Sequence, residues 1–190
     1  MAKKESTLKN MLIALFVISF AASAALGGIY ELTKEPIAAA KLAKKTKAIS
    51  EVIPEFDNIP TAEVYKVASD GDTLYFYPGS KNGELVGTAV ESFTNKGFSG
   101  EIKIMVGLRP DGTINDVAVL EHKETPGLGD KMERRKSDWS LQFQGKNPSE
   151  FKISVTKDGG DVDAITASTI SSRAFCDAVE RAYNAYVNIK

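Results

Sequence analysis

From Met11 to Ile29 the chain carries only two polar side chains, Ser19 and Ser23, and no charge. Wound as a helix at about 1.5 Å per residue, this run is about 28 Å long, close to the roughly 30 Å hydrocarbon core of a bilayer. It constrains the architecture more than any other stretch, because it reads as a membrane anchor over residues 11–30 with every other element after it. Tyr30 stands where an interfacial aromatic lies. A cleaved signal peptide is the competing reading, with an apolar core from Met11 to Phe20 and a small-residue site at Ala22-Ser23-Ala24. The apolar run continues past that site, whereas a signal core is typically about 7–15 residues long, so the anchor is the expectation. Lys3, Lys4 and Lys9 favour a cytoplasmic N-terminus over residues 1–10, although Lys34, Lys41, Lys44, Lys45 and Lys47 on the far side blunt the charge asymmetry. A single span without an ionisable side chain cannot itself conduct ions.

Residues 31–57 read as a stalk. A helix is expected from Thr33 to Ile53, with Pro36 in its first turn, a broken apolar stripe of Ile37, Ala40, Ala43, Ile49, Val52 and Ile53, and the lysines on its solvated or headgroup-facing side. Pro54 ends it. From about Glu63 the apolar period changes to two. Strands are expected at Val64–Val67, Leu74–Tyr77, Leu85–Phe93, Ile102–Leu108 and Ile114–Leu120, with turns at Lys81-Asn82-Gly83 and Asp111-Gly112. Gly97 and Gly100 flank Phe98 and permit close backbone approach. Trp139, Leu141 and Phe143 alternate as in a short strand or packed edge. Phe151–Val155 reads as a further strand, and Lys157–Gly160 as a turn. Phe175, Ala178, Val179, Ala182 and Tyr186 recur at helical spacing and define one apolar face of a C-terminal helix.

The composition narrows the function. The net charge of −1 gives no field favouring nucleic acid. One cysteine, Cys176, and one histidine, His122, exclude an internal disulfide, a cysteine-held iron–sulfur cluster and structural zinc, so no metal site is expected. If such a chain moves electrons, an organic cofactor must carry them.

Two stretches hold the chemistry. Asp163–Ser172 is half Ser and Thr and runs directly into the C-terminal helix. Hydroxyl side chains there suit an N-cap, yet no Glu or Gln stands three residues beyond Ser171 or Ser172 to close a capping box. Uncapped amides at the positive end of a helix dipole suit a phosphate. The plain alternative is a capped terminal helix with no ligand. Earlier in the chain, Glu124-Thr125-Pro126-Gly127-Leu128-Gly129 is a loop expected to lead into a helix from Asp130 to about Arg135. Pro126 fixes φ while Gly127 and Gly129 remove side chains, so the backbone can lie against a flat ring. Glu124 and Thr125 are candidates to hydrogen-bond that ring or its polyol. Lys131, and more weakly Arg134 and Arg135, offer cations within two turns. His122 reads as a structural hydrogen-bonder, with a proton donor beside the ligand as the alternative.

Asp163-x-x-Thr166-x-x-Thr169-x-Ser171 resembles the flavin-attachment motif of a family of membrane-bound redox subunits, roughly Asp-x-x-(Ser/Thr)-Gly-Ala-Thr-x-(Ser/Thr). In that motif the last Thr is esterified to the phosphate of FMN. Here the position is Thr169, and Ala167-Ser168 stand where the motif has Gly-Ala. Glu124–Gly129 resembles the second signature of the same family, in the same order along the chain. From the stalk to the C-terminus the sequence resembles the G subunit of the Rnf complex and, more distantly, the C subunit of the sodium-translocating NADH:quinone reductase. The resemblance implies an α+β protein, with one transmembrane helix and a stalk helix followed by a single mixed α+β FMN-binding domain over residues 58–190, its strands mainly antiparallel. It implies FMN bound covalently to Thr169, with Thr166, Ser168 and Ser171 beside it. It further implies a cytoplasmic-membrane location with the domain on the extracytoplasmic side. The partners would be subunits carrying iron–sulfur clusters, NAD(H) and the ion path, and a flavin transferase during maturation. The reaction of the whole complex would be electron transfer between ferredoxin and NAD coupled to Na⁺ or H⁺ translocation, with this chain as the electron relay. Two other classes remain open: a tethered sensor binding FMN or another phosphate ligand reversibly, and an assembly factor with neither.

Overall fold

The computed structural model describes residues 7–69 and 72–189, so the first six residues of the expected cytoplasmic segment 1–10 lie outside the described residues. The anchor and stalk stretches run on as one helix, α1, Leu8–Val52, with Pro36 inside it. A proline removes one helix hydrogen bond, but the Ala- and Lys-rich sequence after it favours the helix to its end. The chain divides into two units, residues 1–43 and 44–190. In the first, Leu12, Phe16, Val17 and Phe20 are all exposed, and α1 is long and apolar enough to cross a membrane. A helix apolar around its whole circumference suits a hydrocarbon environment.

The second unit is built on a five-stranded antiparallel meander: β1 Tyr65–Ser69, β2 Asp72–Lys81, β3 Glu84–Gly97, β4 Gly100–Leu108 and β5 Ile114–Glu121. All five strands fall where alternation puts them. Asn82 and Gly83 both take positive φ, 53° and 82°, as the tight turn of a two-residue hairpin demands. Alternation then sorts β4 onto two faces. Ile102, Ile104, Val106 and Leu108 face the main core, and Met105 faces a smaller one.

The main core is closed by helix α2, Thr169–Asn188, which buries Phe175, Ala178, Val179, Ala182 and Tyr186, the face expected from their spacing. Its alanines let the helix lie close to the sheet. Cys176 is also buried, and burial pushes its thiol up to about 12. On the other sheet face lies the C-terminal end of α1, with Ala48, Ile49, Val52 and Ile53 packed on Tyr77, Ala89 and Met105. Glycines make this seat: a Cβ on Gly107 would fall 1.8 Å from the Val52 carbonyl oxygen, and one on Gly79 would fall 2.4 Å from Ile53 Cδ1. Asn115 Nδ2 donates to the Val52 carbonyl at 2.9 Å and satisfies one of the helix's last acceptors. Two of the stalk lysines also reach the sheet from this end of the helix. Lys44 donates to the Leu120 carbonyl, and Lys45 pairs with Glu91 at 2.9 Å.

Three local expectations are corrected. Trp139–Phe143 is a 3₁₀ turn, so of the two readings the strand fails and the edge packed on the core holds, with Phe143 buried and Trp139 packed against the core. Its buried residues are Ser140 and Phe143, spaced by three, so the alternation of Trp139, Leu141 and Phe143 does not mark a strand. Trp139, Phe143 and Phe175 form an aromatic cluster with centroids 5.1–5.6 Å apart. Phe151–Val155 joins no sheet. Its one ladder contact is a bridge from Val155 to Val162, and its backbone bonds close locally through Asp161. The helix expected from Asp130 to Arg135 is a single 3₁₀ turn, Gly129–Met132.

Candidate functional site

Both motif stretches arrive at the same place because the meander brings them there. The β3–β4 hairpin pairs Gly97 with Gly100 and leaves Phe98 and Ser99 at its tip. After β5, the chain folds back as a loop pinned by His122. Its Nδ1 accepts the Glu124 N–H at 3.0 Å, which leaves Nε2 to donate to Glu133 Oε1 at 2.9 Å. Burial works against the charge on Glu133, but hydrogen bonds from Arg135 and His122 outweigh it and hold the carboxyl below its ordinary range. Thr125-Pro126-Gly127-Leu128 is a β-turn closed by Leu128 N–H to the Thr125 carbonyl, with Gly127 at φ 79° as the third residue of a type II turn requires.

A second turn of the same kind precedes α2. Ser168 N–H bonds the Ile165 carbonyl, and Ala167 at its third position has φ 62°. This is where the flavin-attachment motif has Gly, and an L-residue there is held at a cost of roughly 1–2 kcal/mol. The helix starts at Thr169, and the side chain of Ser168 does not cap it. Ser172 Oγ takes the Ile165 N–H at 2.9 Å and donates to the Ser168 carbonyl at 3.0 Å, so the turn is tied to the helix it opens. Trp139 Nε1 donates to the Asp163 carbonyl at 2.5 Å, and Gln142 Oε1 accepts the Asp163 N–H at 2.8 Å, which fixes the stretch just upstream.

Glu124 joins the three segments. It is 5% exposed. One carboxylate oxygen accepts the Ser99 N–H at the hairpin tip at 2.9 Å, and the other accepts the Ser171 hydroxyl in the first turn of α2 at 2.5 Å. Such bonds to an ionised acceptor are the strong ones. Two glycines make room: a Cβ on Gly129 would stand 2.7 Å from Ser171 Oγ and 2.8 Å from Glu124 Oε2, and one on Gly97 would stand 2.8 Å from Glu124 Oε1.

Between these walls lies a cleft of ≈ 330 Å³. Of the sequence-derived candidates, Glu124, Thr125, Leu128 and Gly129 line one side and Ser168, Thr169 and Ser171 the other. Pro126, Gly127, Lys131 and Thr166 are not on its lining. The first two form the exposed tip of their turn, and Thr166 sits in the turn before Ala167. Lys131 follows Gly129 in the 3₁₀ turn, its carbonyl bonded by Ser137 Oγ at 2.7 Å. Phe98, Ala167 and Ile170 also line the cleft and were not among the candidates, although the glycines around Phe98 were the available signal. A larger groove of ≈ 610 Å³, beside the end of α1 and β5, contains none of the motif residues. Among the described residues no group of His, Cys, Asp and Glu could hold a metal ion.

The cleft lies within a stretch of the chain that matches the FMN-binding domain family. The chain matches that family over residues 97–184, from the hairpin tip through most of α2, so every lining residue is included. Its likeness to known proteins also extends over nearly its whole length. It is 35% identical to the G subunit of the ion-translocating oxidoreductase complex of Vibrio atlanticus, covering 95% of this chain and 90% of that one. It is 38% identical to the G subunit of the same complex from Aliivibrio fischeri, over 93% and 89% of the two chains. With the G subunit of the Na⁺-translocating ferredoxin:NAD⁺ oxidoreductase complex of Acetobacterium woodii it shares 34% identity, over 93% and 90%. The chain belongs to the family of G subunits of ion-translocating oxidoreductase complexes.

Proposed function

We propose that this chain is the electron-relaying flavoprotein subunit of an ion-translocating ferredoxin:NAD oxidoreductase complex, carrying FMN through a phosphoester to the Thr169 hydroxyl. The observation that carries the reading is the convergence of both motif stretches on one cleft, with Thr169 half-buried as the first residue of a helix without a side-chain cap. The residues fit the group. The volume lies at the lower end of cofactor pockets, about 300–1,000 Å³. Gly129 keeps the floor clear, and the amides of the first turn of α2 suit a phosphodiester. When bound, FMN supplies the redox chemistry that this chain's own side chains lack.

In this reading the protein binds and orients. Thr169 provides the acceptor oxygen, which a separate flavin transferase esterifies. Ser168, Ser171 and Thr125 offer hydroxyls along the walls. Glu124, with both oxygens already engaged, keeps the walls in register. Pro126 and Gly127 set the loop's turn, and Lys131 and Thr166 are secondary contributors. The N-terminus lies in the cytoplasm, α1 spans the cytoplasmic membrane once, and the domain faces the extracytoplasmic side. Partner subunits carry the iron–sulfur clusters, the NAD(H) site and the ion path.

Expression of the full chain with its maturation machinery, followed by a denaturing gel, tests the linkage. Flavin fluorescence stays with the wild-type band and is absent from Thr169→Ala. A colourless wild-type band refutes the linkage, and a flavin that dialyses away points to a reversible, sensory module.

A further inference from the structure

Asp163, Thr166 and Thr169 stand three residues apart, and the fold leaves them at the surface. Asp163 and Thr166 are exposed and Thr169 is half-buried, while Ile165 and Ser168 between them are buried. Asp163 and Thr166 do not line the cleft. Among the described residues neither the Asp163 carboxylate nor the Thr166 hydroxyl has a hydrogen-bond or ion-pair partner. Fold and cleft leave both side chains unused, yet the backbone that carries them is held firmly. Both peptide groups of Asp163 are gripped by the 3₁₀ turn Trp139–Phe143, which lies outside both motifs. Gln142 Oε1 accepts the Asp163 N–H at 2.8 Å, and the Asp163 carbonyl accepts from Trp139 Nε1 at 2.5 Å and from Gln142 Nε2 at 3.3 Å. Gln142 Nε2 also donates to the Trp139 carbonyl at 3.0 Å, so amide and indole form one clamp. The indole is itself fixed edge-on against Phe143 and Phe175. At the far end of the stretch Ser172 ties Ile165 to the Ser168 carbonyl.

Surface connections are ordinarily mobile, and a partner that must order one on docking loses that entropy from its affinity. A segment held in shape beforehand spares the loss. We infer that Trp139 and Gln142 are positioning residues for flavin attachment: they hold Asp163–Thr169 in the shape on which the flavin transferase docks. The inference rests on the Thr169 linkage and adds two residues that neither motif contains. In attachment, Thr169 Oγ1 forms a bond to the phosphorus of a flavin pyrophosphate donor. The pyrophosphate P–O bond breaks, its electron pair leaves on the departing phosphate, and the hydroxyl proton passes to a base of the transferase. Trp139 and Gln142 take no part in that exchange, and neither lines the cleft. Their effect therefore belongs to docking of the apo chain and not to the finished site.

The test uses the full apo chain in detergent, as wild type, Trp139→Phe, Gln142→Leu and Gly79→Ala, given the transferase and a flavin dinucleotide below the melting temperature of every variant. Initial rates of in-gel flavin are read against chain concentration. Trp139→Phe keeps a ring against Phe143 and Phe175 and loses only the indole donor. It raises the KM for the apo chain about five-fold, the worth of one hydrogen bond. Gln142→Leu releases Asp163 on both sides and raises KM about five- to twenty-five-fold. In both, kcat, the end-point flavin and its absorption spectrum stay as in wild type. Gly79→Ala is the stability control, because its Cβ meets Ile53 Cδ1 at 2.4 Å in the seat of α1. It lowers the melting temperature and leaves KM unchanged. A wild-type KM in both clamp variants overturns the inference and leaves the linkage standing. So does an equal rise of KM in Gly79→Ala, which assigns the effect to overall stability. Absence of in-gel flavin from the wild-type chain takes down both readings.

Discussion

Truncating Glu124 tests the logic of the cleft most directly. Its carboxylate accepts one bond from the hairpin tip and one from Ser171, and the side chain is almost fully buried. Hydrogen bonds to a charged group contribute about 1.5–3 kcal/mol each. Losing both in Glu124→Ala is partly offset because a desolvated carboxylate is lost as well, and the net cost is about 2–4 kcal/mol. For a unit of this size each kcal/mol moves Tm by about 2–4 °C, so the variant melts about 5–15 °C lower. Glu124→Gln behaves differently. The amide oxygen keeps the Ser99 N–H, and the Ser171 hydroxyl turns to accept from the amide nitrogen, so the cost falls to about 1 kcal/mol. Far-UV circular dichroism melts of the full chain in detergent read the order wild type, Gln, Ala. In-gel flavin falls in the same order if the walls must be in register for maturation. A melt of Glu124→Ala within about 2 °C of wild type refutes the claim that this carboxylate ties the site together.

Gly129→Ala places a Cβ 2.7 Å from Ser171 Oγ. The overpacking costs about 1–3 kcal/mol, and both the melting temperature and the flavin yield drop. Ala167→Gly relieves the left-handed φ of 62° and, net of the greater freedom of the unfolded chain, stabilises by up to about 1 kcal/mol. Ala167→Val moves the melt several degrees the other way. Asp177 is a pH reporter. Burial opposes its charge, but hydrogen bonds from Lys96 and Thr94 outweigh that and hold the carboxyl below its ordinary range. Its contribution is therefore present above the unfolded value of about 3.9 and is lost as the pH falls through the folded one. Urea midpoints between pH 3 and 7 lose part of their acid dependence in Asp177→Asn.

Local pattern carried much of this protein. The membrane-length run, the five strands, the Asn82-Gly83 hairpin and the buried face of α2 were legible because each is set by spacing within a few residues. So were the two stretches that meet at the cleft, one by its hydroxyls and the other by its Pro and Gly. Where the pattern failed, the deciding contact was distant. Trp139–Phe143 mimics a strand, yet its rings close on Phe175 and its indole on Asp163. Phe151–Val155 has strand composition, yet Asp161 closes its backbone locally.

Taken alone, the sequence determined that the chain has one apolar helix, an antiparallel sheet and an amphipathic terminal helix, since backbone periodicity and turn chemistry are local quantities. Only the tertiary structure decided that Gly79 and Gly107 seat the end of α1, that Glu124 clasps Ser99 and Ser171, and that Phe98 stands over the same cleft as Thr169. Those facts depend on atoms dozens of residues apart coming within a few ångströms, and no window on the sequence measures that distance.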